Sequence, residues 1–270
     1  MTHDYVHGYT RHERVRLRDQ GNVLVDLIHR DTSYPAGSVV LEVGCGVGVQ
    51  TLVLARRNPE ATFVAIDRSE ASLAIARRAI KTERLRNVEF ISADILSLPF
   101  AARTFDHIFV CFVLEHLADP RRALVSMQRC LKRGGTVTAI EGDHGSTLFH
   151  PESVAARHTI QCQVTLQARA GGNAGIGRQL YPVMVGAGLR HVRVDPRMVY
   201  VDASRPDLVD GFTKKTFIAL VAGIRTRAIA ANLTTPRRFD AGVRALNRTT
   251  RADGVFCYTF FKGVGAKANR

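Results

Sequence analysis

The sequence has little that points to a membrane or to an oxidising compartment. No apolar run approaches the 18 residues of a membrane-spanning helix, so we expect no membrane span. The N-terminus lacks the basic-then-apolar pattern of a signal peptide. The five cysteines are scattered and odd in number, without a Cys-x-x-Cys pair, which argues against a disulfide framework or a structural zinc site. We therefore expect a cytoplasmic protein.

Lysine is also scarce: most of the 38 basic residues that give the chain its net charge of +14 are arginines. Such a charge has two explanations, a polyanionic partner or an arginine-rich composition that reflects a GC-rich genome. The basic residues occur as pairs such as Arg56-Arg57 and Arg237-Arg238, with no run of five and no interleaved aromatic residues. This spread favours the compositional explanation, and we do not expect a nucleic-acid partner.

The sequence is organised around a short apolar run that leads into a glycine-rich turn. Val39 to Val43 form a β-branched strand, glycines follow at positions 44, 46 and 48, and a helical pattern begins at about residue 49. Strand, glycine loop and helix form a nucleotide site in open parallel sheets. Glu42 precedes the first glycine by two residues and would repel a pyrophosphate. The ligand is therefore expected to present a cationic amine here.

The pattern Glu-x-Gly-x-Gly-x-Gly at Glu42 to Gly48 resembles the first motif of the class I S-adenosylmethionine methyltransferases. The resemblance implies S-adenosylmethionine (SAM) as the cofactor. Asp67 ends the second predicted strand, 19 residues after Gly48. A carboxylate there offers two acceptors to the vicinal hydroxyls of a ribose. The alternative is that Asp67 caps the next helix, for which Ser69 is an equal candidate.

Later motifs follow in the order of the same family. Asp94 ends the third strand, and the resemblance implies that it accepts from the adenine amino group while Ile95 packs against the ring. The segment from Phe105 to Leu117 is similar to the family's fourth motif, which places residues 110–116 near the methionine moiety and the methyl group. Leu-Lys-Arg-Gly-Gly at 131–135 is similar to the turn before the fifth strand, with Arg133 in place of the usual proline.

An N-terminal helix from about Thr10 to Arg30 precedes the first strand. It either packs on the sheet or forms a flap over the cofactor, with Tyr9 and Gln20 facing it. The predicted cofactor-binding residues are Tyr9, Gln20, Glu42, Gly44, Cys45, Gly46, Asp67, Arg68, Asp94, Ile95, Val110 and Cys111.

The alternation of strands and helices predicts an α/β fold: a Rossmann-like, doubly wound, mostly parallel seven-stranded sheet. We expect an N-terminal helical flap at 1–37 and a SAM-binding methyltransferase domain at 38–270. Helical lid insertions are predicted at about 143–178 and 203–253, and these form the substrate side.

The candidate catalytic base is His144, in a loop predicted just after the fifth strand. Glu141 and Asp143 are candidates to orient a substrate or the imidazole. The alternative is that His144 is only a loop residue, and His116 is a weaker candidate with a structural role equally open. The histidines at 107, 116, 144, 150 and 158 lack a metal-site spacing, so no metal is expected.

The resemblance implies methyl transfer to a small-molecule acceptor at oxygen, nitrogen or carbon, since the insertions are not strongly basic. The alternatives are an RNA or protein methyltransferase, motivated by the charge, and a non-catalytic SAM-binding protein. An NAD-dependent oxidoreductase is disfavoured, because its glycine spacing fails at Val49. The oligomeric state stays open, with a homodimer or higher assembly among the options.

Overall fold

The computed structural model describes residues 24–268 of the chain, which divide into two compact units. Unit 1 comprises residues 24–27, Gly142–Gly175 and Arg197–Phe260. Unit 2 comprises residues 28–141, Ile176–Pro196 and residues 261–268. Tyr9 and Gln20 lie outside the described residues, so the flap over the cofactor stays a prediction.

The strands form one seven-stranded sheet. They are β1 Val39–Val43, β2 Thr62–Asp67, β3 Val88–Ser92, β4 Phe105–Cys111, β5 Leu131–His150, β6 Arg190–Val201 and β7 Val255–Ala266. Their order across the sheet is β3-β2-β1-β4-β5-β7-β6, and β1 to β5 pair in parallel. The predicted fold class is confirmed.

Helices connect the strands. They are α1 at residues 24–29, α2 Val49–Arg57, α3 Glu70–Thr82, α4 Pro120–Cys130, α5 Val154–Arg169, α6 Leu180–Gly186, α7 Pro206–Leu208, α8 Ala219–Gly223, α9 Arg225–Ala230 and α10 Pro236–Arg248. Short 3-10 turns lie at Leu114–His116 and Ile176–Gln179, and a π-helix lies at Val209–Ile218. No helix in the described part of the chain is long and apolar enough to cross a membrane.

The two faces of the sheet in unit 2 differ in chemistry. One face carries the hydrophobic core, with Leu41 and Val43 of β1 packed among side chains from β4, β5 and α4. Successive residues of a strand point to opposite faces, so Glu42 lies on the other face. In the register of the sheet Glu42 lies beside Phe109 of β4, which lies beside Thr138 of β5. On this face, two polar side chains, Glu42 and Thr138, therefore flank the buried ring of Phe109.

The predicted loop after the fifth strand is wrong, because β5 continues through it to His150. The glycines in Glu141-Gly142-Asp143-His144-Gly145 indicated a turn, but Gly142 serves a different purpose. A Cβ atom there would lie 2.3 Å from the Tyr258 hydroxyl, so the glycine permits close approach of a neighbouring side chain. Downstream, buried Thr147 and Phe149 alternate with exposed residues, as in a half-buried strand. His144 consequently lies within a strand.

Unit 1 contains a helical core in which α5 packs against α10. The contact depends on Gly242 of α10, since a Cβ atom at this position would lie 1.9 Å from Thr159 Oγ1 and 2.4 Å from the Ala155 carbonyl oxygen. Thr159 itself donates to that carbonyl group at 3.0 Å. The two helices therefore approach more closely than any larger residue at position 242 would permit.

Gly242→Ala is expected to destabilise the protein by about 1–3 kcal/mol, because the added methyl group overpacks a contact made partly by backbone. The matched control is Gly223→Ala in α8, where a Cβ atom would meet nothing within 4 Å. That change should be neutral or stabilising by up to about 1 kcal/mol. Urea unfolding measures both, and equal effects of the two substitutions would contradict the close packing of α5 on α10.

Candidate functional site

The order in which the chain adds strands reverses at β1, because β2 and β3 lie on one side of it and β4 and β5 on the other. Ligands of open α/β sheets bind outside the carboxyl ends of the strands at this switch point. The residues at these ends are Glu42 and Val43 of β1, Asp67 of β2 and Cys111 of β4. The predicted cofactor residues from β1, β2 and β4 therefore share one edge of the sheet in unit 2.

Glu42 is a buried carboxyl group with an unused oxygen. Its side chain is 2 % exposed, and Oε2 has no hydrogen-bond partner among the described residues. Burial raises the pKa of Glu42 from an ordinary 4.5 to about 7, the nearby Thr51 hydroxyl lowers it, and the charge of Asp67 raises it. A buried carboxylate of this kind calls for a cationic or hydrogen-bond-donating ligand group.

The glycine loop folds back from β1 onto the end of β2. The backbone N–H groups of Gly44 and Cys45 both donate to the Ile66 carbonyl oxygen, at 2.8 and 2.9 Å. Gly44 and Gly46 have φ angles of +73° and +53°, which favour glycine. A Cβ atom at Gly46 would meet nothing within 4 Å, so this part of the loop is open to a ligand.

Asp67 holds the glycine loop in place. Its Oδ2 accepts from the Gly46 backbone N–H at 2.9 Å, and its Oδ1 accepts from the Ser69 N–H at 2.8 Å. The N-cap of α3 is Ser69, whose hydroxyl accepts from the Ser72 N–H. Asp67 therefore does not cap this helix. Each carboxylate oxygen can accept a second hydrogen bond, which leaves Asp67 able to receive a diol.

Asp94 and Ile95 follow the end of β3. Asp94 is exposed, and its Oδ1 accepts from the Leu96 N–H at 2.7 Å, so the carboxylate also orders its own turn. Ile95 is half-buried and packs against the core of unit 2. The pair thus presents an acceptor and an apolar side chain side by side.

The remaining predicted residues of the edge are mixed in exposure. Val110, Cys111 and Cys45 are buried, and Arg68 is exposed. Burial raises the pKa of the Cys111 thiol, as do the charges of Glu141 and Glu42. Burial likewise raises the pKa of the Cys45 thiol. Both cysteines therefore stay as neutral thiols and serve as small apolar side chains.

Glu141 has a role that the sequence did not reveal. Its Oε1 accepts from the backbone N–H groups of Val113 and Leu114, at 3.0 and 2.7 Å. These bonds hold the bend after β4, where Phe112 has an unusual φ of +57°. Val113 in turn fills the space beside Gly44, where a Cβ atom would lie 2.4 Å from Val113 Cγ2. Glu141 therefore shapes the glycine loop from two strands away, and only its position at the end of an apolar run hinted at a role.

In unit 1, His144 forms a buried pair with Tyr258. Its Nδ1 lies 3.1 Å from the Tyr258 hydroxyl, and its ring lies 5.9 Å from the ring of Phe217 in the π-helix. Asp143 is also buried and accepts from the Gly145 N–H at 2.9 Å. His144 is thus a fixed side chain among aromatic rings, whereas the sequence suggested a loop residue.

His116 lies in the 3-10 turn after β4, in unit 2, with its Nε2 3.6 Å from Glu115 Oε1. It is half-buried. Within residues 24–268, no group of three or more histidine, cysteine or acidic side chains is arranged to hold a metal ion.

Gly44→Ala is expected to destabilise unit 2 more than Gly46→Ala. Both glycines have positive φ, which costs an alanine about 1–2 kcal/mol. Only position 44 adds a clash with Val113, worth about 1–3 kcal/mol more. Equilibrium unfolding in urea measures the difference, and equal losses would mean that Val113 does not constrain the loop.

Comparison with known proteins supports the assignment from the site. Residues 41–139 match the model of a family described as a methyltransferase domain. An uncharacterized 37.1 kDa protein in transposon TN4556 of Streptomyces fradiae is 34% identical over 190 residues, covering 69% of this chain and 54% of that protein. The demethylmenaquinone methyltransferase of Staphylococcus aureus is 31% identical over 134 residues, covering 49% of this chain and 55% of that protein.

The chain spans about half the length of these curated relatives. Among solved structures, phosphoethanolamine N-methyltransferase 2 of Haemonchus contortus, in complex with S-adenosylhomocysteine and phosphomonomethylethanolamine, superposes with a TM-score of 0.58 at 16% identity. The match covers 93% of this chain and 53% of that one, and at this identity it supports the fold alone.

The family match begins within β1 and ends within β5, so it includes the glycine loop and the three strand-end carboxylates. These are the features on which the resemblance in the sequence was based. Residues 41–139 are therefore a methyltransferase domain of the class I, SAM-dependent type.

Proposed function

We propose that the protein binds SAM at the carboxyl edge of β1, β2 and β3 and transfers its methyl group to a small-molecule acceptor. The observation that carries the proposal is Glu42, a buried carboxyl group whose Oε2 has no partner in the described chain. Beside it the glycine loop is open at Gly46. A carboxylate next to an exposed backbone fits the ammonium group of the amino-acid end of SAM, and does not fit a pyrophosphate.

Each of the other edge residues has a proposed part in binding. Asp67 receives the two ribose hydroxyls with the lone pairs that the Gly46 and Ser69 N–H groups leave. Asp94 accepts from the adenine amino group, and Ile95 packs against the ring. Flanking contacts come from Gly44, Cys45, Arg68, Val110 and Cys111, and from Tyr9 and Gln20 of the N-terminal segment.

The cofactor supplies a methyl group on a positively charged sulfur, which is already activated for displacement. The protein's task is therefore alignment, which contributes several kcal/mol to the rate. Glu42 fixes the amino-acid end of the cofactor, and Asp67 fixes its ribose. Glu141 fixes the bend at Val113 and Leu114, which keeps the loop around Gly44 in one conformation.

For the acceptor, we propose His144 as the group that takes a proton where the nucleophile must lose one. It is a buried imidazole with its Nδ1 beside the Tyr258 hydroxyl, so its ring is held in a defined orientation. Asp143 is its buried neighbour along β5. The five cysteines are free and buried, which fits a protein that works in the reducing cytoplasm.

The protonation of Glu42 should control cofactor affinity. Only the ionised carboxylate pairs with an ammonium group, and Glu42 ionises at about pH 7 in the ligand-free protein. SAM affinity should therefore rise as the pH increases to about 7, and fall again as the amine of SAM loses its proton at about pH 8. Glu42→Gln should lower the affinity at about pH 7.5 by about 1.5–3 kcal/mol and remove the rise at lower pH. Isothermal titration calorimetry with SAM, S-adenosylhomocysteine and NADH measures these affinities.

The matched control for Glu42→Gln is Glu89→Gln, which removes an exposed carboxylate from β3. This control should bind SAM as the unaltered protein does. If NADH binds and neither adenosyl ligand does, the proposed cofactor is wrong. If SAM binds equally well to the Glu42 and Glu89 variants at every pH, the site is elsewhere.

His144→Ala should lower methyl transfer at least tenfold without changing SAM affinity, if the acceptor loses a proton to the imidazole. Release of labelled methyl product from a panel of hydroxyl, amine and carbon acceptors measures the activity. His191→Ala removes an exposed histidine of β6 and serves as the control. Unchanged turnover in the His144 variant would limit that residue to packing against Tyr258 and Phe217.

A further inference from the structure

Five buried side-chain polar atoms in unit 2 have no hydrogen-bond partner in the described chain, and one of them is Glu141 Oε2, whose Oε1 already accepts two hydrogen bonds. The other four are Glu42 Oε2, Thr51 Oγ1, the Tyr34 hydroxyl and His29 Nδ1. Buried polar atoms in native proteins almost always have a partner, from protein or from ordered water. One such atom is commonplace, whereas four from neighbouring segments indicate a common cause.

The four side chains face the same part of the sheet. Glu42 lies beside Phe109, whose ring is 5.6 Å from the ring of His29. The pKa of Tyr34 is raised by burial and by the charge of Glu42, and lowered by the Thr138 hydroxyl, so Tyr34 lies near both. The Thr51 hydroxyl is close enough to lower the pKa of Glu42. We call this place the polar chamber: His29, Tyr34, Glu42 and Thr51 over Phe109 and Thr138.

The outer wall of the polar chamber, formed by the segment from His29 to Tyr34, is anchored and cannot collapse onto Glu42. His29 Nε2 lies 2.5 Å from Gln50 Oε1, and the backbone carbonyl oxygen of His29 accepts a hydrogen bond from Arg57 at 2.6 Å. The Tyr34 N–H donates to Asn58 Oδ1 at 2.8 Å.

A buried lysine fixes the middle of the same segment. Lys262 Nζ, on a side chain that is 4 % exposed, donates to Asp31 Oδ1 and to Thr32 Oγ1, each at 2.7 Å. The four polar atoms therefore stay apart because both ends and the centre of the wall are tied to other elements.

The chemistry of the polar chamber selects its occupant. Glu42 repels an anion, and the hydroxyl groups and the imidazole disfavour an apolar group. Burial lowers the pKa of His29 to about 4, so its ring stays neutral and offers no charge to Glu42. The other groups that act on Glu42 are Asp67 and the Thr51 hydroxyl, and none is a cation. A small molecule that both donates and accepts hydrogen bonds fits, and water meets this requirement with two to four partners.

We propose that the polar chamber binds ordered water that links Glu42 to Tyr34, Thr51 and His29, and that these three are positioning residues for the Glu42 carboxylate. The consequence for cofactor binding rests on the proposed pairing of Glu42 with the ammonium group of SAM. A carboxylate oxygen accepts two hydrogen bonds, so water at one acceptor position of Oε2 stabilises the ionised form and leaves the second position for the ligand. Removing a hydroxyl from the wall removes part of that stabilisation.

The test compares Tyr34→Phe and Thr51→Val, which change the shape of the polar chamber little, with Tyr181→Phe at an exposed position. S-adenosylhomocysteine affinity is measured by calorimetry between about pH 5.5 and about pH 9. In Tyr34→Phe and Thr51→Val the midpoint of the pH dependence should move upward. At about pH 6.5 the affinity should fall threefold to tenfold, on the order of one lost hydrogen bond, and near pH 9 it should match the unaltered protein.

A purely structural role for Tyr34 and Thr51 predicts a lower melting temperature with an unchanged pH midpoint, and that result would overturn the proposal. A high-resolution crystal structure of the ligand-free protein provides the second measurement. It should contain water within hydrogen-bonding distance of Glu42 Oε2 and Tyr34 Oη. In a crystal structure of Tyr34→Phe this water should be displaced or absent.

The two measurements separate this proposal from the proposed function. Water in the polar chamber of a protein that binds no adenosyl ligand would remove the function and leave the water site. Adenosyl binding in a protein whose polar chamber is empty or filled by a side chain would support the proposed function and overturn the water site.

Discussion

The site is built around one unfavourable feature, the burial of the Glu42 carboxyl group next to an open loop. Burial raises the pKa of Glu42 from 4.5 to about 7, which means that ionising this group costs about 3 kcal/mol more than ionising an exposed carboxyl group. A protein selected for stability alone would place an apolar residue at this point in β1, as at Val40 and Leu41 beside it. In the proposed site a positively charged ligand offsets this cost, so the bound state would recover stability that the ligand-free fold lacks here.

The other carboxylates of unit 2 show how the fold makes this tolerable. Asp67 and Glu141 each accept hydrogen bonds from backbone N–H groups of loops that surround Glu42. Their oxygen atoms therefore help to fix the polypeptide chain, and they hold Gly46 and Val113 in place. The protein thus uses two acidic side chains to build the rigid surroundings of a third.

Much of this could be predicted from the sequence because the motifs are local. Glu42, the glycines and Asp67 lie at strand ends that are recognisable from apolar runs and turn residues. The contribution of Glu141 could not be predicted, because it depends on the register that brings β5 beside the bend after β4. The same holds for Tyr34, since only the packed structure places a loop residue against Glu42 and Thr138.

The wrong loop prediction in unit 1 has a different physical origin. Gly142 and Gly145 suggested a turn because glycine has two uses that composition cannot separate, a positive φ angle and close approach. Here the approach of Tyr258 requires the glycine, and β5 continues with His144 in it. The cofactor motif has fixed spacing because every member binds the same molecule, whereas residues around an acceptor have no such common pattern. In the proposed function the acceptor is selected by contacts distant in sequence, such as the pair of His144 and Tyr258, which are separated by 114 positions.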